Sequence, residues 1–171
     1  MVLSFPVAPM KATLGTLPTD DSGWAYEVKW DGYRTIAFIE GGRVRLQSSN
    51  LLDVTRRYPE LQPLAEALGV ERAVLDGELV VLDDRGRPRF ELIQRKEIDR
   101  REAAYFVFDV LSIDRHDTIA LPYEERRRLL RELVEDGPNW QVPAHRIGDG
   151  HALLKATAAQ ELEGVMAKRL G

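Results

Sequence analysis

Cysteine is absent from the 171 residues, which removes disulfides, thiolate zinc sites and a cysteine nucleophile from consideration. No apolar run approaches the roughly 18 residues that suggest a membrane span. Residues 1–9 also lack the basic start and apolar centre of a signal peptide. No membrane partner is expected, and a cytoplasmic setting is compatible with these absences. Positive charge is not in surplus either: 24 Lys and Arg stand against 28 Asp and Glu, a formal net charge of −4. Nucleic acid would therefore have to be held by a local patch or by another domain. His116, His145 and His151 are scattered without the spacing of metal ligands.

The length and the 44% hydrophobic content suit a single core. Residues 1–23, with Pro6, Pro9, Pro18 and the Asp20-Asp21-Ser22-Gly23 cluster, read as an extended lead. Strands are expected over residues 25–30, 33–40 and 43–47, with Gly41-Gly42 closing a hairpin. Pro59 followed by Leu61, Leu64, Ala65 and Leu68 predicts a helix that Gly69 stops. Residues 74–83 form an apolar strand interrupted by Asp76, Gly77 and Glu78, and residues 105–111 another that carries Asp109. Residues 123–134 have the leucine spacing and charge density of an exposed helix, whose Arg126-Arg127-Arg128 run reads as part of a solvated face. Asp149 can cap a helix over 150–160, and 164–167 reads as a last strand. Strands interleaved with helices, some joined by hairpins, give an α+β class built on antiparallel sheets flanked by helices.

The densest chemistry lies in Glu27-Val28-Lys29-Trp30-Asp31-Gly32-Tyr33-Arg34. On a strand Glu27 and Lys29 share a face, and a turn at Gly32 can return Arg34 toward it. Two cations and two acids could then surround a phosphate, although the same residues also suit a solvated hairpin. From average residue usage, Lys-x-Asp-Gly-x-Arg arises by chance in roughly one chain in a thousand of this length.

That segment resembles the first motif of the covalent nucleotidyltransferases, the superfamily of ATP-dependent DNA ligases, RNA ligases and capping enzymes. Its wording is most similar to the bacterial ATP-dependent DNA ligases of end-joining repair. Further segments resemble later motifs in family order: residues 48–60, Asp76-Gly77-Glu78-Leu79-Val80, residues 105–111, and Glu163-Gly164-Val165-Met166-Ala167-Lys168-Arg169. Ordered short motifs together carry far more weight than any one alone. The resemblance covers nearly all of 1–171 and implies the adenylation domain of such a ligase.

By that resemblance, the amine of Lys29 attacks the α-phosphate of ATP and keeps AMP as a phosphoramidate, which later passes to a DNA 5′-phosphate. A lysine with the reference pKa near 10.4 is only about one part in a thousand neutral at pH 7.4, so the site must free the amine. The resemblance further implies that Phe108 stacks on adenine, that main chain around Glu27 reads its amine, and that Arg34 lies near the ribose or nick phosphate. Glu78 is expected near the sugar hydroxyls or a metal, Glu78 and Glu163 to act through Mg²⁺ or Mn²⁺, Lys168 to offset phosphate charge, and Asp31 to position the DNA end. Read from pattern alone, Phe108 is a core aromatic and Asp31 a turn cap. Asp109 reads as a buried anchor, and Trp24, Trp30 and Trp140 as packing residues.

Implied partners are nicked or broken duplex DNA, end-joining repair proteins, and a C-terminal OB-fold domain. The implied place is the bacterial cytoplasm, at the nucleoid. The family's paired-lysine strand and OB-fold are not found before Gly171, from which weak ATP binding and slow adenylation by these 171 residues are expected. Two further departures fall in the second segment: Ser49 stands at the usual arginine place and Leu51 at the usual glycine place. The alternatives are an RNA ligase or capping-type transferase, and a non-catalytic module that binds nucleotide or a repair partner.

Overall fold

The first two strands do not pair with each other. In the computed structural model, β1 (Trp24–Lys29) lies in a three-stranded sheet and β2 (Tyr33–Glu40) in a six-stranded one. Trp30-Asp31-Gly32 therefore crosses between sheets instead of closing a hairpin. Residues 3–171 are described; of the expected lead, Met1 and Val2 lie outside the described residues.

The hairpin forms one connection later. Gly41 and Gly42 take φ values of 57° and 72°, the left-handed backbone whose twist suits a two-residue turn, and they join β2 to β3 (Arg43–Ser48) in antiparallel register. After β3 and a 3₁₀ turn at Thr55–Arg57, the helix predicted from Pro59 onward is broken into a second 3₁₀ turn, Pro59–Leu61, and the single turn α1 (Leu64–Ala67). Pro59 and Pro63 are the cause, since a proline supplies no N–H and starts a helix rather than continuing one. The apolar spacing still acts: Leu61, Leu64, Ala65 and Leu68 are buried on the outer face of the larger sheet.

Next come β4 (Arg72–Val80), the short helices α2 (Phe90–Gln94) and α3 (Lys96–Asp99), β5 (Ala104–Ile113) and β6 (His116–Asp117). Then follow α4 (Tyr123–Leu133), β7 (Trp140–Gln141), β8 (His145–Ile147), α5 (Gly150–Ala159) and β9 (Gly164–Arg169). The larger sheet runs β3-β2-β4-β5-β6, with β7 parallel to β5; the smaller runs β8-β1-β9. The antiparallel α+β class inferred from sequence is the one observed. The short α2, α3, β6, β7 and β8 lack the length for a periodic signal.

Strand alternation sorts each sheet into two chemical faces. On β4, Leu75 and Leu79 enter the core while Asp76 and Glu78 turn the other way, which accounts for the acids inside an apolar run. Gly77 lies beneath Tyr105: a Cβ there would come within 2.7 Å of the ring and 2.5 Å of the Phe106 carbonyl. The Tyr105 hydroxyl crosses at this gap to donate to the Thr35 and Leu75 carbonyls, at 2.9 and 3.1 Å.

Helix α5 covers the back of the smaller sheet, where Gly150 gives room to the ring of Tyr26. Asp149 sits at the N-cap position but makes no side-chain cap; it pairs with Arg146 at 3.1 Å. Asp21 instead accepts the Gly150 N–H and the Tyr26 hydroxyl. The lead is tied down by Gln47, whose amide bonds the Val7 backbone in both directions, and by Phe5 packing on Phe38. All three tryptophans pack: Trp24 under Arg169, Trp30 edge-on to Phe106, and Trp140 in the core.

Candidate functional site

Glu27 and Lys29 share one face of β1, and their β9 partners across the ladder are Met166 and Gly164, with Lys168 opposite Ala25. Residues opposed in an antiparallel pair point the same way, so Glu27, Lys29 and Lys168 all face the larger sheet. On that sheet Arg34, Asp76, Glu78 and Phe106 share the facing side, by the pairings of Arg34 with Glu78 and of Glu78 with Phe106. A cleft between the sheets is the result.

The close packing at Gly32 fixes where the two sheets meet. A Cβ there would fall 2.0 Å from the Leu79 carbonyl oxygen. Glycine is therefore demanded by backbone approach, a different reason from the turn geometry that the sequence suggests. Beyond it, Lys29 Nζ donates to the Glu163 carboxylate. These two, with Asp31, Arg89, Phe90 and Glu91, line a hollow of about 190 Å³. Burial and the nearby Glu163 and Glu91 charges push the Asp31 carboxyl above its ordinary range.

The larger sheet contributes an arginine already committed to an acid. Arg34 grips Asp76 with Nε and a terminal nitrogen, both at 2.6 Å. Asp76 is not among the site residues expected from sequence; its one available signal is a charge inside a buried strand. Glu78, beside it, is pushed up to about 8, chiefly by burial and then against the pull of Arg34.

At the closed end, Glu27 is 5% exposed. It accepts the Tyr123 hydroxyl at 2.5 Å and Lys168 Nζ at 2.8 Å. Lys168 also lies 4.5 Å from the centre of the Phe108 ring, and Arg34 lies 4.9 Å from it. Phe108 is thus partly exposed between cations from both sheets, not enclosed in the core. Four residues of strand, about 13 Å at the usual rise, separate the positions facing Lys168 and Lys29.

The exposed face expected for α4 is corrected. Tyr123, Arg127 and Leu130 are its buried stripe. Arg126 binds Asp109 through two nitrogens at 2.8 and 3.1 Å, which makes Asp109 an anchor. Arg127 donates to the Phe108 and Pro143 carbonyls at 3.2 and 2.6 Å. Only Arg128, paired with Glu132, keeps the solvated role read for the run. Spacing of i, i+4 and i+7 from Tyr123 to Arg127 to Leu130 was the signal that Arg127 faces inward.

For a divalent cation the cleft offers Glu78 and Glu163, close enough that the Glu163 charge contributes to the upward push on Glu78. Two hard carboxylates that repel each other suit a magnesium-type ion completed by water and phosphate oxygens. No cluster of three or more metal-ligating side chains occurs among the described residues. The donor set therefore fits an ion shared with a phosphate ligand and does not form a closed protein cage.

Two antiparallel sheets meeting at a lysine, with acids and an arginine across the cleft, form a nucleotidyltransferase fold, as the likeness to solved ligase domains shows. Family comparison matches the ATP-dependent DNA ligase domain over residues 7–171. The chain belongs to that family. It is 42% identical over 164 residues to the multifunctional non-homologous end joining protein LigD of Mycobacterium bovis, covering 95% of this chain and 21% of that protein. The LigD of Pseudomonas aeruginosa is 40% identical over 169 residues, with 96% and 20% covered. A solved mycobacterial DNA ligase D, complexed with ATP and MES, superposes with a TM-score of 0.85 at 39% identity, covering 95% of this chain and 54% of that one. The chain thus spans about a fifth of the curated relatives. Among the described residues no helix is long and apolar enough to cross a membrane.

Proposed function

We propose that this chain carries the self-adenylating site of an end-joining DNA ligase. Lys29 is the nucleophile: its nitrogen bonds to the α-phosphorus of ATP, the bond to pyrophosphate breaks, and the amine gives up its proton. AMP is then passed to a DNA 5′-phosphate for sealing. The observation that carries this reading is the placement of Lys29 at the sheet junction, with Glu163 and Asp31 in the same hollow.

Each remaining side chain takes a role its position supports. Phe108, partly exposed between the sheets, is the platform for adenine, and main chain at Glu27 borders it. Arg34, held by Asp76, faces ribose or the nick phosphate. Lys168 is lent to the nucleotide, and Asp31 positions the DNA end. Glu78 and Glu163 hold Mg²⁺ or Mn²⁺, which when bound would polarise the phosphate. An amine donating to a carboxylate is not a free nucleophile, so Glu163 must turn from Lys29 before attack. A paired-lysine strand and an OB-fold domain complete the site. DNA ends and end-joining proteins in the bacterial cytoplasm, at the nucleoid, are its partners.

The test supplies ATP labelled on the α-phosphate with Mg²⁺ and maps the label by mass spectrometry. Label on Lys29, lost in Lys29→Ala and with EDTA, and discharged by nicked duplex DNA, is expected. Label on another side chain would overturn the assignment.

A further inference from the structure

The buried cluster behind the cleft holds one cation too many for a structural ion pair. Glu27 is the carboxylate that two cations share: Lys168 meets one oxygen at 2.8 Å, and Arg127 stands 3.7 Å from the other. Arg127 is 2% exposed, so it reaches no ligand in the cleft. Its Nε has no hydrogen-bond partner among the described residues, although both terminal nitrogens are engaged. A guanidinium remains charged at any working pH. The Phe108 and Pro143 carbonyls account for the burial of Arg127, but not for its place beside a carboxylate that Lys168 already neutralises, since replacing a buried ion cluster by apolar groups is often neutral or stabilising.

We propose that Arg127 is a standby countercharge for Glu27, a positioning residue that lets Lys168 leave Glu27 and turn to the bound nucleotide. The inference rests on the adenylation reading above. When Lys168 departs, Glu27 would otherwise keep only the Tyr123 hydroxyl, and a buried carboxylate without a countercharge is strongly disfavoured. Arg127 already stands beside the same carboxylate and has only to close a short gap. Its bond to the Phe108 carbonyl fixes the strand carrying the proposed platform during that exchange. His145 stands 3.4 Å from Arg127, and burial and the arginine charge push its imidazole below the ordinary range, so it is a poor substitute.

The experiment measures adduct formation by the full-length protein against ATP concentration, separating KM from kcat. Arg127→Met should raise KM about tenfold and leave kcat within about twofold, and Arg127→Lys, which retains the charge, should recover most of the loss. In a Glu27→Gln background nothing charged is stranded, so Arg127→Met should change KM by less than about twofold. Equal effects in both backgrounds would overturn the proposal. If Arg127→Met does not fold, Tyr123→Phe removes one partner of Glu27 while keeping the ring. It should raise KM about threefold with Glu27 present and leave KM unchanged in the Glu27→Gln background; no difference between backgrounds overturns the proposal equally. Absence of any adduct on the unmodified protein would instead overturn the adenylation reading itself.

Discussion

Arg34 and Asp76 meet through two parallel bonds of 2.6 Å, on adjacent strands of the six-stranded sheet. Asp76 is almost wholly buried, and its carboxyl is pushed up by desolvation, against which Arg34 acts. Asp76→Asn leaves the guanidinium half-enclosed with a neutral partner. Breaking such a pair on one side should cost about 3 kcal/mol, read as a lower midpoint in chemical denaturation. If Arg34 serves the nick, the same variant should slow sealing more than formation of the lysyl adduct. A variant as stable as the parent would show that the pair contributes nothing net to folding.

Gly32 supports a sharper expectation about activity. Its missing side chain admits the Leu79 carbonyl, and a methyl group 2.0 Å from that oxygen cannot be accommodated without moving the crossover. The crossover carries Asp31 and leads directly from Lys29. Gly32→Ala should therefore cost about 1 to 3 kcal/mol in stability and lower adduct formation by about a hundredfold, as misplacement of reacting groups by roughly 1 Å does. Melting curves and single-turnover adenylation check the two effects separately. Wild-type adduct rates would show that the crossover does not set the position of the nucleophile.

How much of this was legible in the sequence follows from range. Lys29, Gly32 and Arg34 stand within one short motif, and the strands around them alternate, so the core of the site and the antiparallel α+β class could be read directly. The partner of Arg34 lies 42 positions away and that of Tyr123 lies 96 positions away. No local pattern links such residues. The break between Pro59 and Ala67 is marked by Pro59 and Pro63, but the apolar spacing from Leu61 to Leu68 is continuous and points to one helix. The arginine run on α4 misleads because charge density suggests solvent, whereas Asp109, Glu27 and two carbonyls draw Arg126 and Arg127 inward.

Glu78 gives the cleft a pH signature. Its carboxyl is pushed up to about 8 from an ordinary value of 4.5. Folding thus favours the protonated form, and the unfolded chain releases the proton first as pH rises. The stability this group contributes is complete below about pH 4.5 and declines until about pH 8. Comparing melting temperature against pH for the protein and for Glu78→Gln isolates the effect, since the variant should lose this part of the slope. Divalent cations compete with the same proton, so Mn²⁺ binding should tighten from about pH 6 to about pH 8 in the protein and not in the variant. Parallel melting profiles would mean that Glu78 is ionised at neutral pH.

Leu51 occupies left-handed backbone at φ 63°, in the tight turn where the Leu51 N–H donates to the Ser48 carbonyl at 3.0 Å. A branched side chain pays for that conformation with about 1 to 2 kcal/mol of steric strain, whereas glycine adopts it freely. Leu51 is 41% exposed, so its removal also sacrifices the contacts of its covered part, which offset some of the strain relief. After allowance for the greater freedom of glycine in the unfolded chain and for the lost burial, Leu51→Gly should stabilise the protein by no more than about 0.5 kcal/mol. Urea denaturation measures the gain. A destabilised variant would mean that Leu51 packs against something in solution that outweighs its backbone strain.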